Sequence, residues 1–579
     1  MKGASLADPQ TDSVVRERST IAALTNIASY LPFMAAAAPD RPAVVVTRSR
    51  TASGRPVYAT LTYDELERMS SRYANGLSSV GITRGMRVLV MVQPGFDFVG
   101  LIFALFKIGA APVMIDPGMG IGRLLDCIRR VDLDAFVGVP LAQAVRIFRP
   151  GAFRTVRHVL TVGRRWFWGG PTLHELCDCA SESFTAVDTR PTDTAAILFT
   201  SGSTGPAKGV VYEHGMFDAQ VRMIQSYYGI EPGGVDLPAF PLFALFSTAM
   251  GMTAVIPEMD PSRPARVNPA HIVEAIRDHG VTNTFGSPAI WERVAAYCHA
   301  KDIKLPTLRR VLIAGAPVRW TLIDRLRRVL SDGADVHTPY GATESLPVSS
   351  IRGREVLAEC REKTRNGAGT CVGHPLPGIE VRMIRITDEP IPKWSDDLLA
   401  PDGEIGEIVV SGPVVTKEYL GLPEANALAK IRDGERVWHR MGDLGYRDER
   451  GCLWFAGRKS QRVTTTSGTM FTDCCEGVFN EHPDVARSAL VGIGRCGRQT
   501  PVVVIEPKPG RYPCGPRFRT FTAELLDLFH SVPRIPHSPF GIPHSLQHVL
   551  FRRRLPVDIR HNAKIDREAL AEWAARRVP

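Results

Sequence analysis

From Leu198 the chain reads Leu198-Phe199-Thr200-Ser201-Gly202-Ser203-Thr204-Gly205-Pro206-Ala207-Lys208-Gly209. An apolar, β-rich run feeds a loop of glycines and hydroxyls that holds one lysine. Glycine lets backbone N–H groups approach a ligand closely, the hydroxyls of Thr200, Ser201, Ser203 and Thr204 donate hydrogen bonds, and Lys208 supplies a cation. Together they make a cradle for phosphate oxygens. The loop is not a Walker A motif, which closes with Gly-Lys-Ser/Thr, because the order here is Ala207-Lys208-Gly209. A flexible Gly/Ser linker shares the composition, but linkers are not bounded by apolar strands or closed by Pro-x-Lys-Gly.

Such a loop needs a scaffold, and the surrounding pattern supplies one. Short β-rich runs at Val88 to Val92, Ala111 to Ile115, Ala195 to Thr200, Val281 to Phe285 and Val311 to Ala314 alternate with helical patterns at Asp97 to Ile108 and Arg319 to Leu330. Strand and helix alternating in this way predict α/β layers. From about Pro377 the texture changes to short strands and turns, with tight connections at Asp402-Gly403, Asp433-Gly434 and Arg450-Gly451. A further α+β unit is expected after Gly457-Arg458, with loops at Lys508 to Pro516 and Pro533 to Pro543. No internal repeat is evident.

At 579 residues the chain is several times the usual domain size, so more than one core is expected. Hydrophobic residues at 44% and charged residues at 22% match a globular composition and exclude disorder as the default. The most apolar stretch, Phe98 to Ile115, is broken by Lys107 and Gly109 and is too short for a membrane span. The first residues carry Asp8, Asp12, Arg16, Glu17 and Arg18 without an apolar run, so no secretory signal and a cytoplasmic location are expected. The eleven cysteines, including Cys177/Cys179 and Cys474/Cys475, lack zinc-ligand spacing and read as free buried thiols. The net charge of +10, with a cluster at Arg552, Arg553 and Arg554, suits nucleic acid, anionic lipid or a polyanionic small molecule, and equally a plain solvated face. Without a nucleic-acid-binding motif beside it, nucleic acid is not expected as a partner.

The loop resembles the phosphate-binding signature of the adenylate-forming superfamily, and further segments match that family in order and spacing. Ala314-Gly315-Ala316-Pro317 resembles its adenine-packing turn. Thr338 and Tyr340-Gly341-Ala342-Thr343-Glu344 resemble the segment where Tyr stacks on adenine, Thr contacts the α-phosphate and Glu holds Mg²⁺. Gly442-Asp443-Leu444 and Gly457-Arg458 are similar to its ribose-binding pair, and Lys564 sits where the family keeps its adenylation lysine. The resemblance implies an enzyme that uses ATP and Mg²⁺ to transfer AMP onto a carboxylic acid. It also implies an α/β fold with a large N-terminal domain, residues 20–458, built of two α/β subdomains and a small β-rich one. A small mobile α+β C-terminal domain, residues 459–579, would carry Lys564. The roles make physical sense: a carboxylate attacking a phosphate brings two anions together, which Lys564 and a cation on Glu344 would neutralise.

Departures from the family bear on the step after adenylation. Beyond Gly457-Arg458 the chain runs Lys459-Ser460-Gln461-Arg462, placing Ser460 at the hinge position, and then Val463-Thr464-Thr465-Thr466-Ser467-Gly468 and Thr472-Asp473-Cys474-Cys475-Glu476. In thioester-forming relatives this loop shapes the tunnel for coenzyme A. The altered version resembles the β-lactone-forming branch of the superfamily, known from bacterial long-chain olefin biosynthesis. There a 2-alkyl-3-hydroxyalkanoic acid is adenylated and its own β-hydroxyl displaces AMP, a closure that gains from proximity. A long-chain acyl-CoA or acyl-carrier-protein ligase is the alternative. Phe240 to Phe246 and Met250 to Ile256 suit an acyl-chain pocket, and equally an ordinary core helix or strand. The resemblance further implies a small-molecule β-hydroxy acid as partner; the poor solubility of a long-chain product, together with the basic surface, points to assembly with other enzymes of such a pathway or contact with a membrane surface, with no transmembrane segment and no evident amphipathic anchor.

Overall fold

Lys107 decides how the most apolar stretch of the chain folds. The helix Phe96–Ile108 is buried throughout from Phe98 onward, so the lysine ammonium enters the interior with it. It lies against the Glu67 carboxylate and donates to Ser71 Oγ at 2.9 Å, both carried by the neighbouring helix Tyr63–Ser79. Burial lowers the lysine's pKa, and Glu67 opposes that shift. Gly109, at φ 76°, ends the helix in the left-handed conformation, its N–H bonded to Leu105 O and Phe106 O. The stretch therefore becomes helix, turn and the strand Ala111–Met114. Among the described residues no helix is long and apolar enough to cross a membrane.

The computed structural model describes residues 26–178, 180–199, 207–532, 546–557 and 565–578. Six strands form one sheet in the order His158–Thr161, Ala135–Gly138, Arg87–Met91, Ala111–Met114, Thr194–Phe199, Gly209–Glu213. All neighbours are parallel except the last pair. A second, fourteen-stranded sheet begins with a parallel layer running through Val235–Pro238, Asn283–Gly286, Arg310–Ile313 and Asp335–Ala342. It continues without a break into antiparallel strands from Ser345–Arg352 to Glu380–Ile384. The β-rich part is thus hydrogen-bonded onto the second α/β layer. Beyond Arg458 come a short hairpin, Val463–Thr465 with Gly468–Met470, and a three-stranded sheet with helices Thr472–Phe479, Pro516–His530 and Arg567–Ala575. These have their own hydrophobic clusters, one around Phe479 and Phe521 and one around Leu570.

Several boundaries differ from the sequence expectation. The helix expected over Arg319 to Leu330 is Trp320–Arg327. Val329 and Leu330 both donate to Leu326 O, tightening the last turn so that both side chains fold into the core. The strand expected from Val281 starts at Asn283, because the Thr282 hydroxyl takes up the backbone N–H and C=O of Val235 at 3.1 Å each. Pro516 begins a helix rather than closing a loop. Not all thiols are buried: Cys177 is half-buried, and Cys496 and Cys514 are exposed. Cys179 and the Pro533 to Pro543 segment lie outside the described residues.

Removing Glu67 leaves the Lys107 ammonium buried without its counter-charge. Glu67→Ala is expected to lose ~3 kcal/mol of stability, seen as a lower first transition in thermal unfolding, and Lys107→Met in the same background should restore most of it.

Candidate active site

Parallel strands of both sheets end at one cavity of 2220 Å³, reached from the first sheet by Met91, Met114 and Phe199 and from the second by Pro238, Gly286 and Ile313. Carboxyl ends of such strands are where open α/β sheets place their ligands. The residues expected from sequence converge here. Lys208, Gly315, Ala316, Pro317, Thr338, Tyr340, Gly341, Thr343, Glu344, Asp443, Arg458 and Ser460 all line this cavity. Thr200, Ser201, Gly202, Ser203, Thr204 and Lys564 lie outside the described residues. Ile565 and Arg567, just beyond Lys564 in sequence, border the cavity.

On one side Asp443 and Arg458 stand opposite each other on adjacent antiparallel strands. Arg458 Nη1 is 2.9 Å from Asp443 Oδ1, and the Tyr340 hydroxyl donates to Asp443 Oδ2 at 2.7 Å. Burial, with the Asp443 charge beside it, drives the tyrosine pKa upward, so Tyr340 stays a neutral ring with its hydroxyl fixed. A flat aromatic face, a buried carboxylate and a guanidinium suit a nucleoside: stacking on the base and acceptance of ribose hydroxyls. Gly341 holds the hairpin close, since a Cβ there would meet Ser345 O at 2.6 Å.

Glu344 is built from three directions. The Tyr419 hydroxyl donates to its Oε1 at 2.8 Å, while its backbone C=O accepts from Thr416 N and Oγ1 at 2.9 and 3.0 Å. Lys208 Nζ lies 4.6 Å from the centroid of the Tyr419 ring, and Lys430 Nζ lies 5.4 Å from it. Lys430 also donates to Thr416, and burial lowers its pKa to about 7, Glu344 opposing and Lys208 assisting. The result is one carboxylate held by a hydroxyl beside two amines. A carboxylate fixed through Oε1 by a phenol, near Lys208, fits the usual donor set for Mg²⁺ bound with phosphates.

An aromatic wall leads away from this point. Tyr212, whose hydroxyl bonds to Thr343 O, stacks on Phe217 at 4.8 Å; Phe217 meets Phe246, Phe246 meets Phe243, and Phe243 stacks on Phe285 at 3.8 Å. Much of the Phe240 to Phe246 segment therefore borders the cavity. The second expected segment mostly does not: Met250 and Met252 are packed in the core, and Ile256 is the residue that reaches the cavity, because it stands at the carboxyl end of the strand Thr253–Ile256.

Ser460 sits in the short 3-10 turn Lys459–Gln461, pinned by charge on both sides. Lys459 Nζ is 3.1 Å from Glu407, which also pairs with Arg440 at 2.6 Å, and Arg462 pairs with Asp388. Across the cavity, Arg319 donates to Ala486 O at 2.8 Å, and Trp320 Nε1 to Glu481 at 2.9 Å. Asp473 is enclosed at the same junction, accepting from Thr370 Oγ1 at 2.6 Å. Burial raises its pKa to about 7, Thr370 opposing and Glu476 assisting. Sequence reasoning did not single out Tyr419, Lys430, Tyr212, Glu407 or Arg440 as site residues. The phrase Gly406-Glu407-Ile408-Val409-Val410 with Tyr419 downstream is regular in type, but no spacing joins it to Glu344.

Comparison with known proteins bears on these features. A family model described as "AMP-binding enzyme" matches residues 33–420. The chain is 46% identical over 560 residues to the olefin beta-lactone synthetase of Xanthomonas campestris pv. campestris, covering 95% of this chain and 98% of that protein. The protein of the same name from Stenotrophomonas maltophilia is 46% identical over 563 residues, with the same coverage of both chains. The 4-chlorobenzoate–CoA ligase of an Arthrobacter species is 27% identical over 81% of this chain and 82% of its own. Among solved structures, the amide bond synthetase McbA from Marinactinospora thermotolerans superposes with a TM-score of 0.74 at 23% identity, covering 95% and 99% of the two chains. The anthranilate CoA ligase AuaEII with anthranoyl-AMP gives 0.75 at 17%, covering 96% and 98%. At these identities the structural matches speak to the fold.

Asp473 gives the site a pH signature. Its folded pKa of about 7 lies above the ordinary carboxylate value of 3.8, so between these values the folded protein holds a proton that the unfolded chain has lost. Its contribution to stability is present below about pH 4 and lost as pH rises through 7. In Asp473→Asn, which keeps a partner for Thr370, melting temperature measured across that window should fall less steeply with pH than in the wild type.

Proposed function

Because the chain belongs to the family of AMP-binding enzymes, we propose that it adenylates a long-chain 2-alkyl-3-hydroxyalkanoic acid with ATP and closes the product to a β-lactone. The observation that carries this reading is 46% identity along 95% of the chain to proteins named olefin beta-lactone synthetase. In the first step a carboxylate oxygen attacks the α-phosphorus and pyrophosphate leaves. In the second, the β-hydroxyl oxygen attacks the acyl carbon, the bond to AMP breaks, and the hydroxyl proton is released. The products are β-lactone, AMP and pyrophosphate.

The residues divide the work by position. Tyr340, Gly315, Ala316, Pro317 and Thr338 would seat the adenine, and Asp443 with Arg458 the ribose. Lys208, Thr343 and the Thr200 to Thr204 loop would hold the phosphates, and Lys564 would lie on the carboxylate and α-phosphate during transfer. A magnesium ion on Glu344 would screen the phosphate charge. Tyr419 positions that carboxylate by its hydroxyl, and the aromatic wall from Tyr212 to Phe285 would take the acyl chain. Residues 20–458 would act as the nucleotide-binding body and residues 459–579 as a mobile unit turning at Ser460. The need for both charge neutralisation and entry and exit of bulky ligands supports that division.

Three outcomes check the reading. Lys564→Ala should lower pyrophosphate release by at least ~100-fold while ATP binding, followed calorimetrically, changes little. Tyr419→Phe should raise the Mg²⁺ concentration required for half-maximal rate about 3- to 10-fold, through loss of one hydrogen bond to a charged group. With a racemic 3-hydroxy acid and ATP, mass spectrometry should find a product one water lighter than the acid, with or without coenzyme A. AMP release that depends strictly on coenzyme A would instead favour the acyl-CoA ligase reading.

A further inference from the structure

At one edge of the first sheet, where Ile121 and Leu141 border the cavity, the protein surface is apolar where solvent-facing surface is ordinarily polar. The helix Pro140–Phe148, which follows the strand Ala135–Gly138, leaves Leu141 73% and Phe148 72% exposed. Seven residues apart, they share one face of the helix at a spacing of ~10 Å. The adjacent parallel strand His158–Thr161 ends at the same rim, and the loop after it leaves Trp166 and Phe167 exposed by 54% and 71%. That loop is anchored: between its two ends Trp168 is buried, its Nε1 donates to Thr161 Oγ1 at 2.9 Å, and both outer rings pack about its indole at 5.3 and 5.2 Å. Ile121, on the segment after the strand Ala111–Met114, is exposed as well, and it borders the cavity together with Leu141.

Positive charge predominates in this part of the chain, although Asp126 pairs with Arg129 and Glu175 with Arg165. Residues 121–170 hold nine arginines against three aspartates, a surplus of six positive charges within a chain whose net charge is +10. Arg123, Arg149, Arg154, Arg157 and Arg164 are exposed and make no ion pair among the described residues. Aromatic and aliphatic side chains held outward among arginines match the water–hydrocarbon interface of an anionic membrane, where rings enter the headgroup layer and guanidiniums meet phosphate. A second copy presenting the same rim would meet like charge, which disfavours self-association.

We infer that the face presenting Leu141, Trp166 and Phe167, continued along the helix by Phe148, docks on the surface of a bilayer carrying anionic lipid, with the cavity border at Ile121 and Leu141 turned toward it. The inference rests on the proposed long-chain substrate only for its purpose: an acid too apolar for water would enter, and its lactone leave, by way of the membrane. Binding itself is a property of the substrate-free protein.

Flotation of the full chain with vesicles tests it. The protein should float with phosphatidylcholine vesicles containing phosphatidylglycerol and remain behind with phosphatidylcholine alone, and added salt should release it. Trp166→Ser with Phe167→Ser should reduce the bound fraction at least tenfold, as should Arg149→Glu with Arg164→Glu. Phe148→Ser, on a separate element, guards against a folding defect in the loop. All should melt as the wild type does and release pyrophosphate from a short, water-soluble 3-hydroxy acid at an unchanged rate. Absence of flotation, equal binding to neutral vesicles, or wild-type flotation by both double variants would overturn the inference. So would sedimentation showing that the rim joins two copies in solution. A protein inactive on 3-hydroxy acids that still floats would sink the proposed function alone, and an active one that does not float would sink this inference alone.

Discussion

The hydrogen bond from the Tyr419 hydroxyl to Glu344 joins parts of the chain that otherwise fold in different layers. Tyr419 lies beside the first sheet, bridged to Val210, with Leu420 N bonded to Gly209 O at 2.8 Å. Glu344 belongs to the turn between two strands of the second sheet. Lys208, at the end of the phosphate loop, lies over the Tyr419 ring, and Lys430 comes to the same ring from the β-rich part. One phenol therefore contacts both Lys208 and Glu344, the lysine over its ring and the carboxylate through its hydroxyl. Displacing it by even an ångström would alter both at once, which is the sensitivity expected of a site that must hold reacting groups in line.

A second constraint is the management of buried charge. Glu407 and Arg440 are both 1% exposed, and Lys459 completes the cluster at the entry to the Ser460 turn. Burying three charges costs solvation that only their mutual attraction and hydrogen bonds recover, so the cluster tolerates one arrangement and resists others. The backbone carbonyls of Thr387 and Glu389 supply the remaining acceptors for Arg440. This gives the link after Arg458 a defined resting geometry. The C-terminal unit is held by further contacts: hydrogen bonds from Arg319 and Trp320, the Thr370–Asp473 bond, the Arg365–Glu481 ion pair at 2.8 Å, and the packing of Cys474 against Leu444 and Ala456.

How each contact is made decides whether sequence reveals it. Tyr340, Thr343 and Glu344 are legible because one hairpin carries them, and Gly341 is required there by the close approach of Ser345 O. Asp443 and Arg458 are legible as a pair because neighbouring strands place them opposite each other. The alternation of strand and helix was equally readable, since each parallel crossover needs its helix, although Thr282 and the tightened turn at Leu326 moved two boundaries. Tyr419 is 75 residues from Glu344, and Lys430 and Glu407 are buried by strands whose pairing no local pattern announces. Met250 and Met252 misled for the same reason: apolar type does not say whether a side chain faces a cavity or a core.

The aromatic wall also bears on why an activated acid would survive long enough to close on itself. An acyl-adenylate is open to water, and a four-membered ring is a strained product, so closure must outrun hydrolysis. Tyr212 ties the near end of the wall to Thr343, where the acyl carbon would sit, and Phe217, Phe246, Phe243 and Phe285 continue it ring to ring, with Gln220 a polar side chain beside the Tyr212 end. The rings themselves offer water little to bond, while the substrate would bring its own hydroxyl, already attached at the carbon β to the reacting carbonyl. Proximity then favours the internal nucleophile over a solvent molecule that must first be ordered. The physical demand on this protein after adenylation is accordingly the exclusion of competitors, and the interior it builds beside Thr343 is of that kind.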